Sequence, residues 1–438
     1  MRLRTIFWLL WGIALLLNGV GAEEKDGPQI KAAARFLREA GVICQQDKGS
    51  LWGKSLCGPL MLVNSSTREI FANQADAEHR LQQKDDIFIG KLPVSVNIAN
   101  MAIAWAGVKW TMVRLPLPEE PHRRAALLAH EMWHRIQDEL GFAPAGPAND
   151  HLDTRDGRYW LQLEWRALAV ALASTGELEN QAIIDAGIFR VRRRQIFPNA
   201  AAEECSLEMH EGLAEYTGVR LSGAPDLRQF VIDGDLKDGV AQQTFVRSFA
   251  YASGPAYGLL LDETGVNWRR SLRASDDLAS LLLTLRKLSL PNDLANAANE
   301  RATHYDGTAL AAAEDRREQN RREQETIYRA RLIDGPVLVI PLRKMNMQFD
   351  PGNLVPLASF GTVYPSIRIV DAWGVLEVKE RGALMSADFG RIIVPSPSDP
   401  RGPKLQGDGW TLELKPGWAV RPGGRDGSYV LQEPNQQN

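Results

Sequence analysis

His130 and His134 stand four residues apart with Glu131 between them, in Ala129-His130-Glu131-Met132-Trp133-His134. In a helix this spacing puts both imidazoles on one face, where they can meet at one point. Zinc accepts two imidazole nitrogens and one carboxylate, and leaves a fourth position for water. Glu131, beside the first histidine, can reach that water without binding the metal. It would take the water's proton during attack on a carbonyl and later pass a proton to the leaving amine.

The set lacks a third ligand, and two residues qualify. Glu211 lies in Glu211-Gly212-Leu213-Ala214-Glu215-Tyr216, where Gly212 and Ala214 let one helix approach another closely. Glu215, one turn on, is suited to receive a ligand histidine's free N–H. Glu204 and Glu208 continue the same stripe and read as its solvated end. Glu164 is the alternative, either as third ligand or as support behind the ligands. Its helix is apolar almost all round, so its buried carboxylate needs a cation: the zinc, a ligand imidazole, or an arginine such as Arg158 or Arg194. His79, His122, His151 and His304 lack ligand spacing, and His210 is expected on a different helix face from Glu211. His151 and His304 stay open as auxiliary donors.

The order of the His-Glu-x-x-His motif, Glu211-Gly212-Leu213-Ala214-Glu215-Tyr216, and Tyr251-Ala252-Ser253-Gly254 through Asp262 resembles the gluzincin metallopeptidases. That group includes thermolysin and the aminopeptidase N-like enzymes. The resemblance spans roughly residues 105–265. It implies one zinc ion, Glu211 as third ligand, and Tyr251 as the hydroxyl that meets the developing oxyanion. It also implies a substrate-binding edge strand just before the motif helix, where a strand pattern ends at Val113. The aminopeptidases carry a glutamate on that strand for the substrate's free amine. Ala106 to Met112 holds no acidic residue, which argues against aminopeptidase action. Between His134 and Glu211 the chain has room for two additional helices, which keeps Glu164 open.

Several elements must position these residues. Strand patterns at 59–63, 69–72, 87–90 and 108–113 follow an opening helix at 27–42. Helices are expected near 121–141, 156–174, 177–196, 202–221, 243–262 and 275–289. The basic cluster Arg190 to Arg194 sits where cations suit a helix end. A charged helix near 308–332 reads as a connector. Beyond Gly335-Pro336, short strand patterns at 337–340, 367–370, 374–378, 391–394 and 410–414 argue a small all-β domain. The expected fold is therefore α+β: a zincin-like domain over 23–300, with N-terminal strands and a mainly helical part bearing the motif, a helical connector over 301–334, and an all-β domain over 335–438.

Arg2 and Arg4, the apolar run Ile6 to Leu17 and small residues up to Ala22 read as a cleaved leader over residues 1–22. The apolar run is shorter than the about 20 residues of a membrane span. A periplasmic or secreted protein without stable membrane insertion is expected. There Cys44 and Cys57 can close a short loop, leaving Cys205 as a free thiol. A net charge of −3, with no long basic face, argues against nucleic acid as a partner. The expected function is zinc-dependent hydrolysis of peptide or protein substrates, as an endo- or oligopeptidase. The alternative is a non-catalytic envelope protein with a structural zinc and a partner-binding β domain.

Overall fold

Leu60-Met61-Leu62-Val63 is apolar at every position, the pattern of a strand covered on both faces. In the computed structural model, which describes residues 20–143, 146, 148–349 and 353–433, all four are buried. Helix α1 (Val20–Asp47) precedes this strand, β1 (Leu60–Asn64). Then come β2 (Glu69–Ala72), β3 (Gln82–Lys84), β4 (Ile87–Lys91), β5 (Met101–Trp105) and β6 (Val108–Leu115). They form one sheet in the order β3-β4-β2-β1-β6-β5, with β1 and β6 parallel and the other pairs antiparallel. Leu60, Leu62 and Val113 join the core shared with the helices. Met61, Val63 and Met112 pack on the other face with Trp105 and Trp110.

The helical part begins with α2 (Pro121–Ile136), which carries the motif. Glu120 caps it, accepting from the His122 N–H at 2.9 Å and from that of Arg123, and Pro121 takes the first turn, where no N–H is needed. Next are α3 (Arg155–Ala173), α4 (Gly176–Ile196), α5 (Ala200–Leu207), α6 (Leu213–Leu221), α7 (Leu227–Val231), α8 (Lys237–Ala241) and α9 (Ser248–Asp262). The part closes with α10 (Leu278–Arg286), α11 (Leu294–Ala302) and α12 (Gly307–Arg329). The single helix expected over 202–221 is interrupted by a π turn, Glu208–Gly212, between α5 and α6.

Short strands between residues 337 and 432 build a seven-stranded and a five-stranded sheet. The sheets share one apolar core around Ile340, Ile369, Trp373, Leu376 and Leu412. The molecule is thus α+β, with N-terminal strands, a helical middle and a C-terminal β region. Of the expected leader, only Val20 to Ala22 fall within the described residues, and they open α1. Among the described residues no helix is long and apolar enough to cross a membrane.

Cys44, near the end of α1, is joined to Cys57, and Cys205 is free. The loop between the joined cysteines carries Trp52, which is buried against Trp133, Tyr216 and Trp268 and donates its indole N–H to Thr217 Oγ1 at 2.8 Å. Arg135 of α2 donates to the Leu56 and Cys57 carbonyls at 3.0 and 2.9 Å. The loop therefore braces the back of the motif helix. Cross-linking residues 13 apart restricts the unfolded chain, so a Cys44→Ser/Cys57→Ser variant should lose about 3 kcal/mol. Urea unfolding reads this directly, and an unshifted midpoint would contradict it.

Candidate metal centre

The centre forms where α2, the π turn and α9 converge. Helices come this close only where side chains are absent. A Cβ on Gly218 would stand 2.6 Å from the Ala126 carbonyl of α2, and one on Gly254 would stand 2.3 Å from the Cα of Gly212. These approaches bring Glu211, from the turn before α6, up to the motif face of α2.

His130 Nε2 and His134 Nε2 lie 3.1 Å apart, and Glu211 Oε2 stands 3.6 Å from the first and 3.5 Å from the second. Donors bound at about 2.0–2.1 Å around a tetrahedral zinc are separated by roughly 3.3–3.4 Å, so the triangle fits a zinc ion. These three residues can hold a metal ion. The outer nitrogens are fixed too. His130 Nδ1 faces Glu215 Oε2 at 2.7 Å, and His134 Nδ1 faces Gln137 Oε1 at 2.6 Å. An ionised carboxylate only accepts, so His130 donates from Nδ1 and, when neutral, turns its Nε2 lone pair inward. Two inward lone pairs beside a carboxylate call for a cation. With only protons to supply it, Glu211 and Glu215 overcome the effect of burial and hold His130 up to about 10. Hydrogen bonds from His130 and His134 likewise overcome burial and keep Glu211 far below the usual carboxylate range.

Glu131 is buried, with Oε1 4.0 Å from His130 Nε2 and Oε2 without a hydrogen-bond partner among the described residues. Burial pushes its carboxyl upward, against the pull of the two histidines. Tyr251 stacks on His130 with ring centres 5.5 Å apart and donates to Glu211 Oε2 at 2.6 Å. Burial and the Glu211 charge raise its phenol far above normal, so it stays an O–H donor.

Three residues at the centre escaped the sequence reading, and a fourth, His210, was expected on the wrong face. Gln137 follows His134 by three residues, a helical spacing that was available. Arg247 donates to Glu211 Oε1 at 2.9 Å and lies one turn before Tyr251. Asp235, held by Arg123 at 2.7 Å, is pushed well up by burial and then by the Glu215 charge. His210 does not point away as expected. The π turn brings its ring to 4.9 Å from that of His134, with Nδ1 3.6 Å from Glu211 Oε1. A π turn adds a residue to one helical turn and rotates the residues beyond it, a device frequent at functional sites.

Glu164 is not at the centre. It is fully buried, but its cations are Arg190 at 2.9 Å and Arg193 at 2.6 Å, and it accepts from Tyr257 at 2.8 Å. Neither expected arginine is its partner: Arg158 pairs with Glu314, and Arg194 with Glu204 and Asp277. Glu204 and Glu208 are not a solvated face. Both are fully buried, Glu204 on Arg193, Arg194 and His151, and Glu208 on Arg190. Arg190, Arg193 and Arg194 of the basic cluster are thus the positive half of an internal ion network. His151 belongs to that network, and His304 is exposed on a short turn at Thr303–Tyr305.

No protein-family model, curated protein or solved structure matches this chain.

Support behind the ligands has a measurable consequence. Replacing Glu215 by Ala leaves His130 Nδ1 without its acceptor, and metal affinity should fall about 10–100-fold. Competition with a chromogenic chelator measures this; an unchanged dissociation constant would remove Glu215 from that role.

Proposed function

We propose that the chain is a zinc-dependent peptide-bond hydrolase, an endo- or oligopeptidase. The observation that carries this reading is the triangle of His130 Nε2, His134 Nε2 and Glu211 Oε2, with the unpartnered Glu131 Oε2 beside it. A zinc ion held there would polarise the scissile carbonyl and lower the pKa of a water. Glu131 Oε2 accepts that water's proton as the oxygen joins the carbonyl carbon. The proton then passes to the leaving nitrogen as the C–N bond breaks. Tyr251 turns its O–H from Glu211 to the charge growing on the carbonyl oxygen. Glu215 and Gln137 keep the two imidazoles aimed throughout.

The sheet supports a peptide as substrate. Strand β6 is paired on both sides, so the edge strand beside α2 is β5 and not the strand that ends next to the helix. An extended peptide can pair with the free main-chain groups of β5. Three protein ligands among the described residues favour a catalytic metal, since structural sites close with four. The joined Cys44 and Cys57 support work in an oxidising compartment, the periplasm or outside the cell.

The test is digestion of a mixed peptide library by the zinc-loaded chain, read by mass spectrometry. Internal cleavage that stops on chelation and returns with zinc is expected. An intact library, with unfolding on chelation, would make the metal a structural staple instead.

A further inference from the structure

Arg247 stands at the N-terminal end of α9 with its side chain 57% exposed, at the rim of a centre whose other charged groups are largely buried. A guanidinium has five N–H donors in a fixed fork. One Nη2 hydrogen bond, 2.9 Å to Glu211 Oε1, is the only one this side chain makes within the described residues. The rest of the fork faces solvent beside the atom that neighbours the metal position. The carboxylates around the centre are already engaged: Glu211 on both imidazoles and Tyr251, Glu215 on His130, Asp235 buried on Arg123, and Glu131 as the base. A substrate ammonium would meet Arg247 and find no uncommitted carboxylate. A substrate carboxylate would find a planar fork that matches its two oxygens.

We infer that Arg247 anchors a carboxylate on the substrate. The inference rests on the hydrolase reading and names the substrate class that this site selects. The carboxylate has two possible sources, the C-terminus of a short peptide or an acidic side chain in a longer one.

Binding separates these sources without turnover. The zinc-loaded Glu131→Gln chain is titrated calorimetrically with N-acetyl-Ala-Ala, with its C-terminal amide, and with N-acetyl-Ala-Asp-amide. The free acid should bind about tenfold or more tighter than the amide. N-acetyl-Ala-Asp-amide binding as tightly as the free acid identifies the side chain as the source, and weak binding identifies the terminus. Adding Arg247→Gln, which keeps a donor for Glu211, should abolish the preference while zinc content stays unchanged. Arg247→Lys keeps the charge without the fork and should retain only part of it; it replaces the Gln variant if that one loses zinc. Equal binding of all three ligands, or a preference that survives both substitutions, overturns the inference. If the unaltered zinc-loaded chain cleaves no peptide but the Arg247-dependent preference persists, the hydrolase reading fails and the carboxylate site stands.

Discussion

Under the proposed hydrolase function, replacing Glu131 by Gln is expected to lower peptide hydrolysis by about 10²–10⁴-fold while the bound metal is retained. The substitution is nearly isosteric, and Glu131 Oε2 has no hydrogen-bond partner among the described residues, so the helix loses no contact. The ligand atoms belong to His130, His134 and Glu211, none of which changes. What disappears is a buried oxygen able to accept a proton beside the triangle. A base works only when deprotonated, so hydrolysis should fall on the acid side of the pH profile as Glu131 takes up a proton. Hydrolysis persisting at the original rate in the Gln variant would remove Glu131 from catalysis.

The largest stability effect is expected well away from the metal-ligand triangle. Arg193 is fully buried and donates to Glu164 Oε2 at 2.6 Å and to the two Glu204 oxygens at 2.7 and 2.8 Å. Arg193→Met keeps much of the volume and removes the cation, leaving two buried carboxylates short of charge. Breaking such a pair from one side costs about 3–5 kcal/mol, because the abandoned charge stays in a poorly solvating interior. Chemical denaturation should show a loss of that order, and a loss below about 1 kcal/mol would mean that water or Arg190 takes over the carboxylates. The same network reaches the candidate metal centre. Arg190 grips both Glu164 and Glu208, and Glu208 opens the π turn that delivers Glu211.

What was legible in the sequence divides by distance along the chain. His130 and His134 needed only helical spacing, and Glu211 was marked by the small residues after it. Burial of Glu164 was legible from the apolar residues around it, and so was its need for a cation. Which cation was not, because Arg190 and Arg193 reach it only through the packing of α4 against α3. The spacing of Glu204 and Glu208 is that of a wet helix face; partners from other elements make it a dry one. The π turn has no sequence signature of its own, so regular helical spacing puts His210 on the wrong side. Strand β5 is missing from the strand patterns, although Ala106 and Gly107, at φ 48° and 76°, form a two-residue turn between apolar strands. Several C-terminal strands are only two to four residues long, too short to show an alternation.

Zinc stoichiometry across three chains tests the account most directly. The unaltered protein should carry one zinc ion per chain, Glu164→Gln should carry the same, and Glu211→Ala should lose it under identical dialysis. Zinc retained in Glu211→Ala but lost in Glu164→Gln, or no zinc bound by the unaltered chain, would contradict a centre built on His130, His134 and Glu211.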